Sequence, residues 1–554
     1  MKDGYYDLGD HSFAITTGSA EAQTWFDRGL MWCYGFNHGE AVACFQKALN
    51  ADPDCAMAHW GVAYALGPNY NKAWEAFDDV ELKSALADAY EATLKATALA
   101  DKVTDMEAAL IRALPSRYPT ATPCDDPTPW IEEFANRMYD IWRSFPNDPD
   151  IATLAADAIM NRTPWALWDL KTGEIAEGAR TADCMEILEL AMERIESENL
   201  PRHPGLLHMY IHLMEMSPTP QKAQVAADRL RNLVPDSGHL QHMATHIDVL
   251  CGQYQAVVDS NQAAIDADTL FLEREGAFNF YSNYRVHDYH FKIYGAMFLG
   301  QSKVALETAD KMVATLPEDV LRVESPPMAD WLEGFVPMKQ HVLIRFGLWD
   351  DIIAQELPAN KDLYCVTTAL MHYAKAVAHA ASGDVPSAEG EAELFDEAVK
   401  RVPDTRYVFN NSCLDILAVA REMMLGEIEY RRGNHDAAFA HLRNSVELDD
   451  NLPYDEPWGW MQPTRHALAA LLMEQERIDE AAEVYRADLG LDDTLSRACQ
   501  HPDNVWSLHG YHECLRRLGR DEEANMIKQR LDLAVARADV PIKSSCFCRL
   551  KHAA

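Results

Sequence analysis

Apolar residues recur along much of the chain at three- and four-residue intervals, in pairs of segments joined by short turns. Residues 22–54 show this arrangement first, with small residues at Gly29 and Ala41 and large ones at Trp32 and Phe45. The spacing predicts two amphipathic helices that form one helix–turn–helix unit. Such a pair leaves an apolar face open, so neighbouring pairs must stack to bury it. The pattern therefore predicts an all-α protein made of stacked helix pairs.

The unit repeats more regularly from residue 203 onward. Predicted helix pairs cover residues 203–235, 238–268, 287–317, 369–395, 424–450, 466–490 and 504–531. Residues 268–286 are predicted to be an insert between two of these pairs. Proline-rich breaks interrupt the pattern without marking domain linkers. We expect irregular repeats over 1–202, a central core over 203–320, and further repeats with a short tail over 321–554.

The first unit, AQTWFDRGLMWCYGFNHGEAVACFQKALNADPD, resembles a tetratricopeptide repeat, whose helix–turn–helix unit has about 34 residues. This resemblance implies a tetratricopeptide-type α-solenoid, a superhelix of stacked antiparallel helix pairs. It also implies that positions two, five, nine, twelve and thirteen of each first helix line a concave groove. The run LHMYIHLMEMSPTP…GHLQHMATHID…GQY is similar to a long microbial subgroup of these proteins with a histidine-bearing core.

The charge narrows the set of expected partners. The chain has 49 Lys and Arg against 87 Asp and Glu, a formal net charge of -38. This charge repels phosphate backbones and anionic lipids, so neither nucleic acid nor a membrane is an expected partner. No apolar run reaches the about 18 residues that a membrane span needs, and MKDGYYDLGDHSF has no signal-peptide character. We therefore expect a cytoplasmic protein in which most of the 12 cysteines are free thiols.

Histidines are concentrated in three short segments. The segment LLHMYIHLMEMS contains His208 and His212, followed by Glu215. The other two segments, GHLQHMATHID and HDYH, contain the remaining members: His239, His242, His246, His287 and His290. Within each segment the spacing of three, four or seven residues places the side chains on one face of a helix.

In the frame of the repeat, these histidines occupy equivalent positions of successive first helices. Counting from the turn glycines and small residues, the histidines of GHLQHMATHID take repeat positions two, five and nine. His208, His212 and Glu215 take positions five, nine and twelve, while His287 and His290 take two and five. The resemblance then implies that all of them point into the groove from three successive helices, as a cage of imidazoles.

Imidazole is the commonest metal ligand and suits copper, iron, zinc and nickel. We predict a transition-metal centre, with copper or iron as the expected metal and zinc as a further option. Glu215 would complete a two-histidine, one-carboxylate set for iron. Tyr210, Tyr289 and Asp248 are candidates for proton transfer or ligand orientation. The expected activity is redox or oxygen chemistry on a small molecule in the groove.

Two other functions fit the same residues. The histidines would form hydrogen bonds to a peptide in a non-catalytic scaffold, or the metal would be stored or sensed without catalysis. His466 and His509 also take groove position five and are weaker candidates for the site. Cys546 and Cys548 are interpreted as ordinary tail cysteines, in preference to a soft-metal or redox pair.

Overall fold

The computed structural model describes residues 4–552 and divides the chain into two compact units. The first unit contains Met1–Ile247 and Ala263–Arg285, and the second contains Asp248–Gln262 and Val286–Ala554. Within the described residues the only sheet is the short antiparallel pair of β1, Tyr407–Val408, and β2, Asn411–Ser412. The prediction of an all-α protein is confirmed.

The helices of the first unit follow one another through short turns. They are α1 Ala20–Tyr34, α2 His38–Ala51, α3 Ala56–Leu66, α4 Asp79–Leu99, α5 Asp105–Arg117, α6 Thr128–Ser144, α7 Pro149–Met160, α8 Thr181–Ser197, α9 Pro204–Glu215, α10 Gln224–Leu230 and α11 Gly238–His242. The division between the units falls within or beside the next three helices, which are α12 Ala244–Leu250, α13 Tyr254–Glu275 and α14 Ser282–Leu299.

The remaining helices belong to the second unit. They are α15 Ser302–Ala314, α16 Glu318–Leu321, α17 Met328–Leu332, α18 Met338–Arg345, α19 Trp349–Ala354, α20 Cys365–Ala381, α21 Val385–Val399, α22 Cys413–Arg431, α23 His435–Asp450, α24 Thr464–Glu474, α25 Ile478–Asp488, α26 Val505–Arg517 and α27 Asp521–Val535. Short 3-10 segments include Glu333–Phe335, Arg497–Cys499 and Phe547–His552.

Close packing of an aromatic ring against glycine holds the helix pairs together. In the first unit the ring of Phe45 on α2 lies between Gly29 on α1 and Gly61 on α3, and a Cβ at either glycine would lie 2.6 Å from it. In the second unit Gly510 on α26 leaves room for the ring of Tyr485 on α25. Because a larger residue would push the helices apart, these contacts fix the spacing between neighbours. The packing is that of tetratricopeptide-type helix pairs.

The turns inside the pairs also follow the predicted pattern. Gly383 and Gly433 end α20 and α22 with φ of 83° each, a left-handed conformation that favours glycine. Asn37 caps α2 by accepting a hydrogen bond from the backbone of Glu40. Among residues 4–552, no helix is both long enough and apolar enough to cross a lipid bilayer.

The structure differs from the predicted elements at three places. The expected insert 268–286 is mostly helical, because α13 continues to Glu275 and α14 already begins at Ser282. The segment GHLQHMATHID forms two short helices that meet at Met243. Helix α6 begins at Thr128, directly after residues 116–127, which contain three prolines and were expected to form a loop, and this helix was not predicted. The division into 1–202, 203–320 and 321–554 stays a prediction.

Candidate metal centre

Helices α9, α11 and α12 bring five histidines of the first unit together. The imidazole of His203 caps α9 by accepting a hydrogen bond from the backbone N–H of Leu206, and Pro204 follows at the first helical position. Helix α9 therefore begins at Pro204 and places His208 and His212 one helical turn apart. The resulting histidine cluster consists of His208, His212, His239, His242 and His246, together with Glu215, and each of these side chains is at most 2% exposed.

Ring nitrogens inside the cluster approach one another directly. The Nε2 atoms of His208 and His239 are 3.2 Å apart, and those of His242 and His246 are 2.7 Å apart. Two imidazoles that bind one ion at about 2.0–2.1 Å have nitrogens roughly 3 Å apart. His208, His212 and His239 each offer a ligand atom, and these atoms lie within 4.8 Å of one another. The His208–His239 and His242–His246 pairs are therefore spaced nearly as metal-bound imidazoles are.

Hydrogen bonds decide which nitrogen each ring presents to its neighbours. The Nδ1 of His208 lies 2.6 Å from the carbonyl oxygen of Tyr34. The Nδ1 atoms of His212 and His246 lie 2.9 and 2.6 Å from the two carboxylate oxygens of Glu215. Carbonyl and carboxylate oxygens accept hydrogen bonds, so each Nδ1 carries the proton. The lone pair of each of these rings is then on Nε2, the nitrogen that a metal would bind.

Burial keeps these imidazoles of the cluster uncharged. It lowers the pKa values of His208, His212 and His239 well below the ordinary value, and neighbouring imidazoles lower them further. Burial raises the pKa of Glu215, an effect opposed by His246. His212 Nε2 and His239 Nδ1 are buried without a hydrogen-bond partner, a state that costs about 1–3 kcal/mol per group. A bound cation would remove this cost at His212.

Aromatic rings enclose the cluster. The ring of Phe36 lies 5.7 Å from that of His212 and 5.4 Å from that of His239, nearly parallel to both. Tyr70 and Trp165 also pack on His212, with ring centroids at 4.9 and 5.8 Å. Phe36 and Trp165 have φ of 55° and 58°, a conformation that costs roughly 1–2 kcal/mol for a residue with a side chain. No sequence pattern identified Phe36 or Tyr70 as part of this site.

Tyr210 points away from the cluster. It lies between His208 and His212 in the sequence, and its hydroxyl group donates to Glu189 on α8 at 3.0 Å. Helical geometry places it on a different face of α9 from the two histidines.

The other four predicted residues belong to the second unit, where all are buried: Asp248, His287, Tyr289 and His290. Within that unit His287 packs edge-on against Phe409, with ring centroids 4.7 Å apart. His290 Nε2 lies 2.7 Å from the sulfur of Met461.

A second group of similar composition in the first unit has different chemistry. His11, Asp150 and His203 also bring three ligand atoms within 4.8 Å of one another. His203 Nδ1 accepts from Leu206 N–H at 3.0 Å, so its proton is on Nε2 and is donated to Asp150 at 3.0 Å. The same carboxylate oxygen also lies within hydrogen-bond distance of Tyr34 and His11. This group is a hydrogen-bonded network, since both ring nitrogens of His203 are committed and no lone pair is left for a metal.

Three weaker candidates for the metal site bond to other groups of the second unit: His466, Cys546 and Cys548. His466 bonds to Asp488 at 3.0 Å and to the guanidinium of Arg345 at 3.1 Å. Cys546 and Cys548 form a disulfide bond with each other, so the interpretation as ordinary tail cysteines is wrong. The free thiols are Cys33, Cys44, Cys55, Cys124, Cys184, Cys251, Cys365, Cys413, Cys499 and Cys514, as expected for most of the cysteines.

Comparisons with known proteins add little beyond the fold. No family model matches the sequence, and no curated protein matches it. Among solved structures, yeast Tom70 is 12% identical, with 93% of this chain and 98% of that chain covered and a TM-score of 0.28. The structure of Naa15/Naa10 bound to HypK-THB is also 12% identical, with 93% and 73% covered and a TM-score of 0.21. These scores are too low to support any argument about function. The chain is thus an all-α protein built of tetratricopeptide-type helix pairs, with a buried histidine cluster in its first unit.

Proposed function

We propose that the histidine cluster binds a transition metal and that the protein is a metal-dependent enzyme of the redox or oxygen type, acting on a small molecule. One observation carries this proposal. His208, His212 and His246 each commit Nδ1–H to an oxygen acceptor, which leaves three Nε2 lone pairs inside one buried cluster. His239 and His242 place further ring nitrogens beside them. Membership of the histidine-bearing microbial subgroup and a cytoplasmic location are parts of the same proposal.

The role of Glu215 favours copper over iron. Both of its oxygens accept Nδ1–H groups, so it orients two imidazoles and raises their basicity without binding the metal itself. The two-histidine, one-carboxylate set for iron thereby loses its carboxylate. Imidazole ligands alone suit copper or zinc. A copper ion would supply one-electron and oxygen chemistry at this site.

The other residues prepare the site for that ion. The carbonyl group of Tyr34 fixes the ring of His208, while Phe36, Tyr70 and Trp165 keep water away from the cluster. Asp248 and Tyr289 remain proposed groups for proton transfer. Tyr210 is a weaker choice because its hydroxyl group is bonded to Glu189.

Metal analysis of protein purified without a histidine tag tests the proposal. We expect bound copper, iron or zinc after reconstitution, and its loss in a His242→Ala/His246→Ala variant whose helical circular dichroism is unchanged. A His372→Gln/His441→Gln variant is the matched control, because these imidazoles pair with Glu391 and Glu422 outside the cluster. Less than about a tenth of an equivalent of metal in the reconstituted wild type would rule the metal centre out.

Complete burial supports a second candidate function, metal storage or sensing without catalysis. All five imidazoles are at most 2% exposed, whereas a catalytic site must admit its substrate. A metal-loaded protein that turns over no small molecule in a broad screen would favour this candidate. Peptide binding by these histidines has less support, since their nitrogens bond to one another, to Tyr34 and to Glu215.

A further inference from the structure

The chain's own tail, residues 544–549, occupies a groove in the second unit. Ser544, Ser545 and Cys548 are at most 2% exposed. The segment contacts residues from four helix pairs, on or next to α18, α22, α24 and α26. A segment that lies across several helix pairs and is buried by them is held as a repeat protein holds a ligand.

Two arginines bind the backbone of the tail. Arg345 at the end of α18 donates to the carbonyl oxygen of Ser545 at 2.8 Å, and Arg431 at the end of α22 donates to that of Cys548 at 2.6 Å. The hydroxyl group of Ser545 donates to the carbonyl oxygen of His466 at 2.7 Å and accepts from the hydroxyl group of Tyr485 at 2.5 Å. Every polar group in this set has a partner, so the segment is positioned at both ends.

Side-chain contacts give the groove its selectivity. The ring of Phe547 packs edge-on against Trp506, with centroids 6.0 Å apart, beside Gly347, where an added Cβ would lie 2.7 Å from Phe547. Arg549 forms a two-pronged ion pair with Glu513 at 2.8 and 2.9 Å. The groove thus accepts a hydroxyl group, an aromatic ring and a guanidinium group at alternate positions of the segment.

The walls of the groove keep their arrangement through contacts that do not involve the tail. Arg345 also bonds to His466 at 3.1 Å, and Arg431 bonds to Glu427 at 2.8 Å. A cavity of about 40 Å³ remains beside the segment, lined in part by Trp349, Tyr373 and Trp460. Because its polar groups are already held in place, the groove would remain a binding site after the tail had left it.

We propose that residues 544–549 are an internal ligand that blocks this groove, and that the groove binds an outside peptide with the same serine, aromatic and arginine pattern once the tail is displaced. The tail is tethered beside its site, so it competes at an effective concentration in the millimolar range or above. An outside peptide therefore binds only when its concentration is high enough to compete with the tail, or when the contacts of the tail have been weakened. This inference does not depend on the metal centre.

Fluorescence polarisation with the full-length chain tests the proposal. The probe is a labelled peptide of residues 543–550 carrying Cys546→Ser and Cys548→Ser, which prevents disulfide exchange. A Ser545→Ala/Phe547→Ala/Arg549→Ala chain should bind it at least about tenfold more tightly than the wild-type chain, because the internal competitor is weakened. A control peptide with Arg549→Glu should bind poorly to this variant and regain affinity for the same chain carrying Glu513→Arg.

Two results would overturn the proposal: no binding of the peptide by either chain, or equal affinity for both. Hydrogen exchange of the wild-type chain decides the question if the triple variant is not folded. Saturating peptide should then expose the backbone amides of residues 544–549 to exchange. Unchanged protection of these amides would also overturn the proposal.

Discussion

Replacing Glu215 with glutamine tests whether its carboxylate orients two imidazoles of the histidine cluster. The carboxylate accepts Nδ1–H groups from His212 and His246 at 2.9 and 2.6 Å, one on each oxygen. A glutamine amide has the same shape but offers one acceptor oxygen, and its NH2 group cannot accept. One of the two imidazoles must then lose its hydrogen bond or move its proton to Nε2.

The size of the effect follows from these two contacts. Loss of a carboxylate that orients a metal-bound histidine usually lowers metal affinity about 10–100-fold, which corresponds to about 1.4–2.7 kcal/mol. A buried donor left without a partner costs about 1–3 kcal/mol, so both lines of reasoning give the same range. The free energy of unfolding of the metal-free chain should fall by less than this. The reason is that glutamine also removes a buried acidic group whose pKa is raised by burial.

Competition titration against a coloured copper chelator measures the change directly. We expect Glu215→Gln to weaken copper binding about 10–100-fold while helical circular dichroism is retained. Glu107→Gln is the matched control, because Glu107 is a buried glutamate of the same unit that bonds to Thr16 and Thr104. Unchanged affinity would refute the orienting role of Glu215, and equal losses in both variants would show a general effect of removing buried charge.

Three further outcomes are expected. Although burial alone lowers the pKa of His11, its hydrogen bond to Asp150 and the charges of nearby aspartates raise that pKa above the ordinary value. The stability from this pair is therefore present below about pH 6.5 and lost as pH rises through the raised pKa, and His11→Gln should flatten the pH dependence of melting there. Gly510→Val should destabilise the second unit by about 1–3 kcal/mol through overlap with Tyr485, and a chemical-denaturation midpoint equal to that of wild type would contradict it. Reducing the Cys546–Cys548 disulfide opens a three-residue loop, which releases about 1.6 kcal/mol of tail constraint; the labelled peptide should then bind the wild-type chain roughly tenfold more tightly.

The repeat pattern predicted most of the fold because its causes are local. Helical periodicity and turn glycines such as Gly383 and Gly433 act within one unit, and equivalent positions of stacked units face the same way. For this reason seven histidines were predicted to meet, and five of them lie together in the first unit: His208, His212, His239, His242 and His246. The helical character of 268–275 was missed because its apolar residues do not follow the repeat frame.

The details of the cluster depend on contacts between residues far apart in the sequence. The acceptor for His208 is the backbone of Tyr34, which is 174 residues away, and the ring stacked on His212 belongs to Phe36. The position of the tail likewise depends on Arg345, which is 200 residues from Ser545. A periodic pattern places side chains on faces, whereas these partners are set only when the chain has folded.

The two histidine–carboxylate groups of the first unit show why residue types alone do not identify a metal site. Both gather imidazoles and a carboxylate within 4.8 Å. At His203 a single backbone N–H on Nδ1 forces the proton onto Nε2, and this N–H donates a hydrogen bond to Asp150. At His212 and His246 the carboxylate accepts hydrogen bonds from both Nδ1–H groups, and the Nε2 lone pairs remain available to a metal. The placement of one proton per ring, set by its acceptor, therefore separates a structural network from a site that can hold a metal.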